Sequence, residues 1–290
     1  MVEIVGARHA LPLPVHEKRG SGILYFQYCN RNCVLLLLNI NSVLQNTLQL
    51  FIRFFMQTIL SPHSSFTVSN DRVLYKLERR QPLKVVALGD SLTYGYGDHV
   101  GGGWVERLRR EWMSPQGAGH VLYNLGVRGD RVNQVSIRLE HEFNCRGELR
   151  NSVPDLILLS VGLNDSARLG KPTGRLYTDF ERFKQHLNHL LDVAQNLCPV
   201  MFIGMTPVNE AKMPFMGCLY YNHLDQYRYK EATLQACQKR SIPYLDIFDL
   251  WLSRGTEWIN AQLGEDGLHP NVSGYQNLFD DIMAWKSIDY

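Results

Sequence analysis

A chain of 290 residues with 45% hydrophobic and 20% charged side chains can bury a sizeable core as one large domain or two small ones. That composition excludes disorder, collagen-like repeats and a polytopic membrane protein. Thirty basic residues against 28 acidic ones leave a formal charge of +2, and the cations are interspersed with acids, as where Glu106 and Glu111 flank Arg107, Arg109 and Arg110; this is no basic stripe of the kind nucleic-acid binding needs.

Taken in chain order, the first feature is Cys29 and Cys33, a C-x-x-x-C downstream of His9 and His16. The spacing is wrong for common zinc ribbons, and Cys145, Cys198, Cys218 and Cys237 lie far apart, so ordinary reduced thiols are expected rather than a metal site or a disulfide scaffold. Residues 34–60 carry a single charge, Arg53. Asn39, Ser42, Asn46, Gln49, Arg53 and Gln57 recur on one face, and Leu37, Ile40, Leu44, Leu48, Phe51, Phe55 and Ile59 on the other, the pattern of an amphipathic helix. Three readings stand: a helix docked on the protein or a partner, an interfacial membrane helix, or a span. The amides near its middle weigh against a span. A signal peptide fits poorly, because the apolar run starts late and no small-residue cleavage site follows. Met56 offers an alternative start. A cytoplasmic location is expected, with peripheral membrane contact through 34–60 under the interfacial reading. Residues 61–83, polar with two prolines, read as a linker or wrapping arm, so that 1–83 forms an N-terminal extension to a domain at 84–290.

From Lys84 the pattern alternates. Strands are predicted at Lys84–Leu88, Val121–Leu125, Asp155–Val161, Val200–Met205 and Tyr244–Phe248. Helices are predicted at Trp104–Trp112, Arg131–Phe143, Tyr177–Leu197, Leu224–Arg240 and Asn271–Trp285. Five short apolar strands interleaved with helices imply a parallel sheet covered on both faces. Right-handed crossovers then make it a flavodoxin-like, three-layer α/β/α sandwich.

Chemistry in such a sheet collects beyond the carboxyl ends of the strands. Ser91 follows the first strand, in Gly89-Asp90-Ser91-Leu92-Thr93, as a nucleophile or a helix N-cap. Gly126 follows the second, offering a backbone N–H or merely a turn. Asn164 follows the third, in Gly162-Leu163-Asn164-Asp165, as an amide donor or a cap. His269 lies ahead of the last helix with Asp266 three residues earlier, a base and its orienting carboxylate or a solvated turn. Each is weak alone; together, each after a different strand, they complete one acyl-transfer mechanism.

The blocks GDSLT at 89–93, glycine at 126, G-x-N-D at 162–165 and D-x-x-H at 266–269 resemble the GDSL, or SGNH, hydrolase family, in the family's order and from about Lys84 to the C-terminus. The resemblance implies a flavodoxin-like esterase or lipase with Ser91, Asp266 and His269 as triad. It also implies Ser91, Gly126 and Asn164 as oxyanion donors and no metal or organic cofactor. It says nothing about the N-terminal extension.

Gly95-x-Gly97 and Gly101–Gly103 miss the dinucleotide spacing, and there is no Walker loop, H-E-x-x-H or G-x-S-x-G elbow. For substrate, Met213, Phe215, Met216 and Tyr220 in the apolar stretch 209–221 either wall an acyl pocket or cover the sheet edge. Arg168, Lys171 and Arg175 either attract an anionic head group or form a solvated charge run. An apolar wall beside cations suits a lysophospholipid or acyl-thioester, and a tighter pocket a carbohydrate O-acetylester. Acyl transfer to a sugar, or a binding module without activity, are the alternatives to hydrolysis.

Overall fold

The first strand, β1 (Lys84–Gly89), is buried along nearly its whole length, as an apolar run with no polar alternation requires when both faces of a sheet are covered. In the computed structural model, residues 81–117, 119–146, 153–285 and 287 are described; the helix expected at 34–60, most of the linker and the Cys29–Cys33 pair lie outside them. β1 is followed by a short helix α1 (Ser91–Tyr94), α2 (Gly103–Trp112), β2 (Val121–Gly126), α3 (Val132–Asn144) and β3 (Leu156–Ser160). Then come β4 (Arg168–Leu169), α4 (Phe180–Leu197), β5 (Val200–Ile203), β6 (Leu219–Tyr220), α5 (His223–Gln238), β7 (Tyr244–Leu245), α6 (Ile247–Ser253), α7 (Thr256–Gln262) and α8 (Val272–Met283).

The main sheet is five-stranded in the order β2-β1-β3-β5-β7, and every pairing in it is parallel. Alternate residues of β1 feed two cores. Val86 and Leu88 pack with α3, α4 and α5, through residues such as Val135, Phe183 and Tyr229. Val85 and Ala87 pack with α2, α6, α7 and α8, through Trp104, Trp251, Ile259 and Tyr275. This is the expected three-layer sandwich. Among the described residues no helix is long and apolar enough to cross a membrane.

Local signals explain most boundaries. In α4, Phe183, Leu187, Leu190, Leu191 and Ala194 form one buried stripe, the spacing of a helix packed on a sheet. It begins after Asp179, whose carboxylate accepts from the Glu181 and Arg182 N–H groups, rather than at Tyr177. The strand expected at Tyr244–Phe248 is shorter than its apolar pattern suggested: only Tyr244–Leu245 are extended, because Asp246 accepts from the Asp249 N–H at 3.1 Å and caps α6. α6 and α7 were not anticipated.

Register sets the site. Gly89 stands level with Gly126 on one side and with Ser160 on the other, so three strand ends meet at one edge. β1 lies between β2 and β3, where the chain's winding reverses, the position at which such sheets open a crevice. Only glycine fits at 89: a Cβ there would stand 2.0 Å from the Ser160 carbonyl oxygen and 2.2 Å from Thr93 Oγ1.

Candidate active site

At the end of β1, Asp90 caps α1 by accepting from the Leu92 N–H at 2.9 Å. Since the cap is Asp90, Ser91 is not needed for it. Its side chain, in the first turn and nearly buried, instead lies 2.8 Å from His269 Nε2. The other ring nitrogen, Nδ1, is 2.7 Å from Asp266 Oδ2. Asp266 Oδ1 accepts from the Leu268 and His269 N–H groups at 2.9 and 3.0 Å. Burial pushes the Asp266 carboxyl up, but the imidazole and the two backbone donors outweigh it and hold the group at about 2. An ionised carboxylate can only accept, so Nδ1 donates to it, and Nε2 of the neutral ring is left to accept the Ser91 hydroxyl.

The Asp266–His269 turn is braced from outside. Gly267 adopts φ +66°, and a Cβ there would meet Lys212 Cβ at 2.6 Å. The Asn209 N–H donates to the Gly267 carbonyl at 2.7 Å, and Lys212 Nζ to that of Gly264 at 2.9 Å. On the other side, the Tyr275 hydroxyl from α8 reaches the Tyr96 carbonyl at 3.1 Å and the Ser91 carbonyl at 3.4 Å.

Asn164 is buried beside this group. One of its amide hydrogens goes to the Asp130 carbonyl at 2.9 Å; the other faces Asp90 Oδ2 at 3.4 Å, a contact long enough to yield to a stronger acceptor. The Tyr221 hydroxyl donates to Asn164 Oδ1 at 3.2 Å and thereby sets which end of the amide faces the site. Burial raises the Tyr221 phenol well above its ordinary value, so it remains a donor.

Gly126 is not placed as expected. Its N–H is spent on Asn124 Oδ1 at 3.0 Å, and the residue is glycine for packing: a Cβ would stand 2.2 Å from the Tyr94 nitrogen. The neighbouring Gly129 has the properties sought. Its N–H bonds to no described residue, and its φ of +83° favours glycine. A Cβ on it would meet nothing within 4 Å, and the next carbonyl, of Asp130, is the one that holds Asn164.

The substrate residues separate. Phe215 lies against the imidazole, its ring centroid 5.6 Å away and edge-on. Met213 packs on the core, Tyr220 pairs with Arg168 in the small β4–β6 sheet, and Met216 is 78% exposed at the tip of a turn. Arg168 is not available to a head group, because Asp225 holds it through two N–H bonds; Lys171 and Arg175 are exposed. The chemistry-bearing residues not anticipated are Asp90, Tyr96, whose ring is 4.7 Å from that of His269, and Gly129; Tyr221 stood in the apolar stretch as a pocket wall and instead bonds to Asn164. Among the described residues no cluster of His, Cys, Asp and Glu is arranged to hold a metal ion.

Beneath the site lie three carboxylates. Asp130 pairs with Arg138 at 2.8 Å, and Asp165 accepts from the Val132 N–H at 2.9 Å. Burial raises Asp90 from its ordinary 3.8 to about 7; the Leu92 N–H opposes this and the charges of Asp165 and Asp130 add to it. Burial likewise raises Asp165 to about 6. The folded state thus keeps a proton on Asp90 that the unfolded chain releases near 3.8, so the stability it contributes is complete below that value and lost as pH rises through about 7. Asp90→Asn keeps a cap acceptor for Leu92 but cannot ionise. Urea melts at about pH 5 and pH 8 are expected to show a smaller loss of stability with rising pH in the variant than in the parent; equal losses would show that Asp90 does not carry this dependence.

Residues 87–276 match the family model of the GDSL-like lipase/acylhydrolase family. No curated protein matches. Among solved structures, the chain is similar to the lipase/acylhydrolase from Enterococcus faecalis, at 20% identity and TM-score 0.55, covering 69% of this chain and 93% of that one. It is also similar to a lipolytic G-D-S-L family protein from Veillonella parvula, at 20% identity and TM-score 0.53 over 71% and 98% of the two chains. The acetylxylan esterase Axe2 from Geobacillus stearothermophilus, in a catalytic-mutant form, matches at 16% identity and TM-score 0.53 over 69% and 92%. At these identities the structures speak for the fold.

Proposed function

The chain belongs to the GDSL-like lipase/acylhydrolase family and is an ester-hydrolysing enzyme; on that premise we propose that it cleaves carboxylic esters through a Ser91–His269–Asp266 triad and an acyl-enzyme. The observation that carries this reading is the unbroken chain of contacts from Asp266 to His269 at 2.7 Å and from His269 to Ser91 at 2.8 Å.

In the first half-reaction His269 Nε2 takes the hydroxyl proton as Ser91 Oγ bonds to the ester carbonyl carbon. Asp266, ionised down to about pH 2, stabilises the imidazolium. The oxyanion is received by the N–H groups of Ser91 and Gly129 and by the Asn164 amide, which gives up its 3.4 Å contact with Asp90. The tetrahedral intermediate collapses, the C–O bond to the alcohol breaks, and His269 returns the proton to the departing oxygen. Water then repeats the sequence on the acyl-enzyme, releasing the acid and regenerating Ser91.

Phe215, edge-on to the imidazole at 5.6 Å, supplies an apolar wall for the acyl group. Across a series of nitrophenyl esters of increasing acyl length, kcat/KM is expected to rise beyond acetate, by about tenfold for the few methylenes that such a wall can cover. A sharp preference for acetate would contradict the apolar acyl site and favour a carbohydrate O-acetylesterase.

A further inference from the structure

The loop between β2 and α3 carries two arginines, Arg128 and Arg131, and they are held differently from the arginines that brace the fold. Arg107, Arg138 and Arg168 each pair with a buried or nearly buried carboxylate. Arg128 is in no ion pair with a described residue. Its guanidinium carbon instead lies 3.9 Å from the centroid of the Tyr96 ring, while Arg131 lies 4.3 Å over Tyr177. Asp130, the nearest acid in sequence, is taken by Arg138 at 2.8 Å.

The Tyr96 ring that carries Arg128 is the same ring that meets His269 edge-on at 4.7 Å. One aromatic ring therefore separates an exposed cation, in no ion pair with a described residue, from the general base. Arg128 also directly precedes Gly129, the backbone donor assigned to the oxyanion. Stacking fixes the plane of a guanidinium without using its in-plane N–H groups, which stay free for two parallel bonds to an oxyanion such as a carboxylate or phosphate. The scaffold thus holds a cation on the ring that meets His269, and no described residue forms an ion pair with it.

We propose that Arg128, stacked on Tyr96, is an anion subsite of the catalytic centre, so that the preferred esters carry a carboxylate or phosphate group a few bonds from the scissile carbonyl. This rests on the ester-hydrolase reading and adds the charge of its substrate. It also takes the place of Arg168, one of the three cations that the sequence offered for head-group attraction with Lys171 and Arg175, because Asp225 neutralises it.

The test uses the full chain and three nitrophenyl esters of matched acyl length, ending in a methyl, a carboxylate or a phosphonate group. The parent is expected to favour at least one anionic ester over the neutral one by roughly tenfold in kcat/KM, as for a partly solvated charge-assisted contact, and the carboxylate and phosphonate arms show which anion fits. That advantage should shrink as ionic strength rises. Arg128→Gln should abolish it, lowering kcat/KM on the anionic ester far more than on the neutral one, and Arg128→Lys should retain part of it. No anionic preference in the parent, or an equal loss on neutral and anionic esters in Arg128→Gln, would overturn the proposal. If the parent turns over none of the three esters, the ester-hydrolase reading fails and the subsite with it.

Discussion

Ser91→Ala is expected to lower kcat toward a simple nitrophenyl ester by about 10⁶-fold while leaving the thermal melting temperature within a few degrees of the parent's. The large effect follows from the mechanism: without Oγ there is no acyl-enzyme, and only the oxyanion donors and substrate binding remain to accelerate attack by water. The small effect on stability follows from the local structure. α1 is capped by Asp90 through the Leu92 N–H and tied to α8 through Tyr275, so the serine side chain is not part of what holds the turn. The contributions of Ser91 and His269 should not add. If they act as one unit, Ser91→Ala/His269→Ala will be about as slow as either single variant. A Ser91→Ala variant with parental turnover would remove Ser91 from the mechanism.

Asn164→Ala should be the next most damaging change, lowering kcat by about 10²–10³ with little effect on KM, because the lost donor acts on charge that appears only in the transition state. Its side chain also holds the Asp130 carbonyl at 2.9 Å, so some loss of stability is expected as well. The division between kcat and KM separates the two roles. A variant that melts earlier but keeps its kcat would mark Asn164 as a brace for the β2–α3 loop and not as an oxyanion donor.

That Ser91, Asp266, His269 and Asn164 meet at one sheet edge was legible in the sequence because each signal is short-range. A residue just past an apolar strand lies at the sheet's carboxyl edge whatever else the chain does, and Asp266 reaches His269 within a single turn. The second strand end was misread for a physical reason. Gly126 ends β2 and Gly129 lies three residues further on, in the loop that follows; the first is glycine because Tyr94 leaves no room for a Cβ, and the second is favoured as glycine by its positive φ. Neither cause is visible in composition, and only the bond from the Gly126 N–H to Asn124 separates them. Tyr96 and Tyr221 were beyond reach for another reason. Their partners, His269 and Asn164, lie far away in sequence, and an aromatic residue in a loop announces no such contact. The same limit applied to Arg168, whose neutralising partner Asp225 lies on α5. In the fold, the core strands and amphipathic helices followed their periodicity, whereas the boundary of β7 turned on a single capping carboxylate, Asp246, inside an apolar stretch that looks equally fit for either structure.

Catalysis turns on a nucleophilic serine activated by a neutral histidine, and covalent labelling addresses that most directly. The purified full-length chain, treated with a fluorophosphonate at neutral pH and digested for mass spectrometry, should yield one modified peptide carrying the adduct on Ser91. The Ser91→Ala variant should yield none, and His269→Ala should be labelled far more slowly than the parent. A folded parent chain that takes up no label, or takes it up at another residue, would contradict the assignment of Ser91 as the nucleophile.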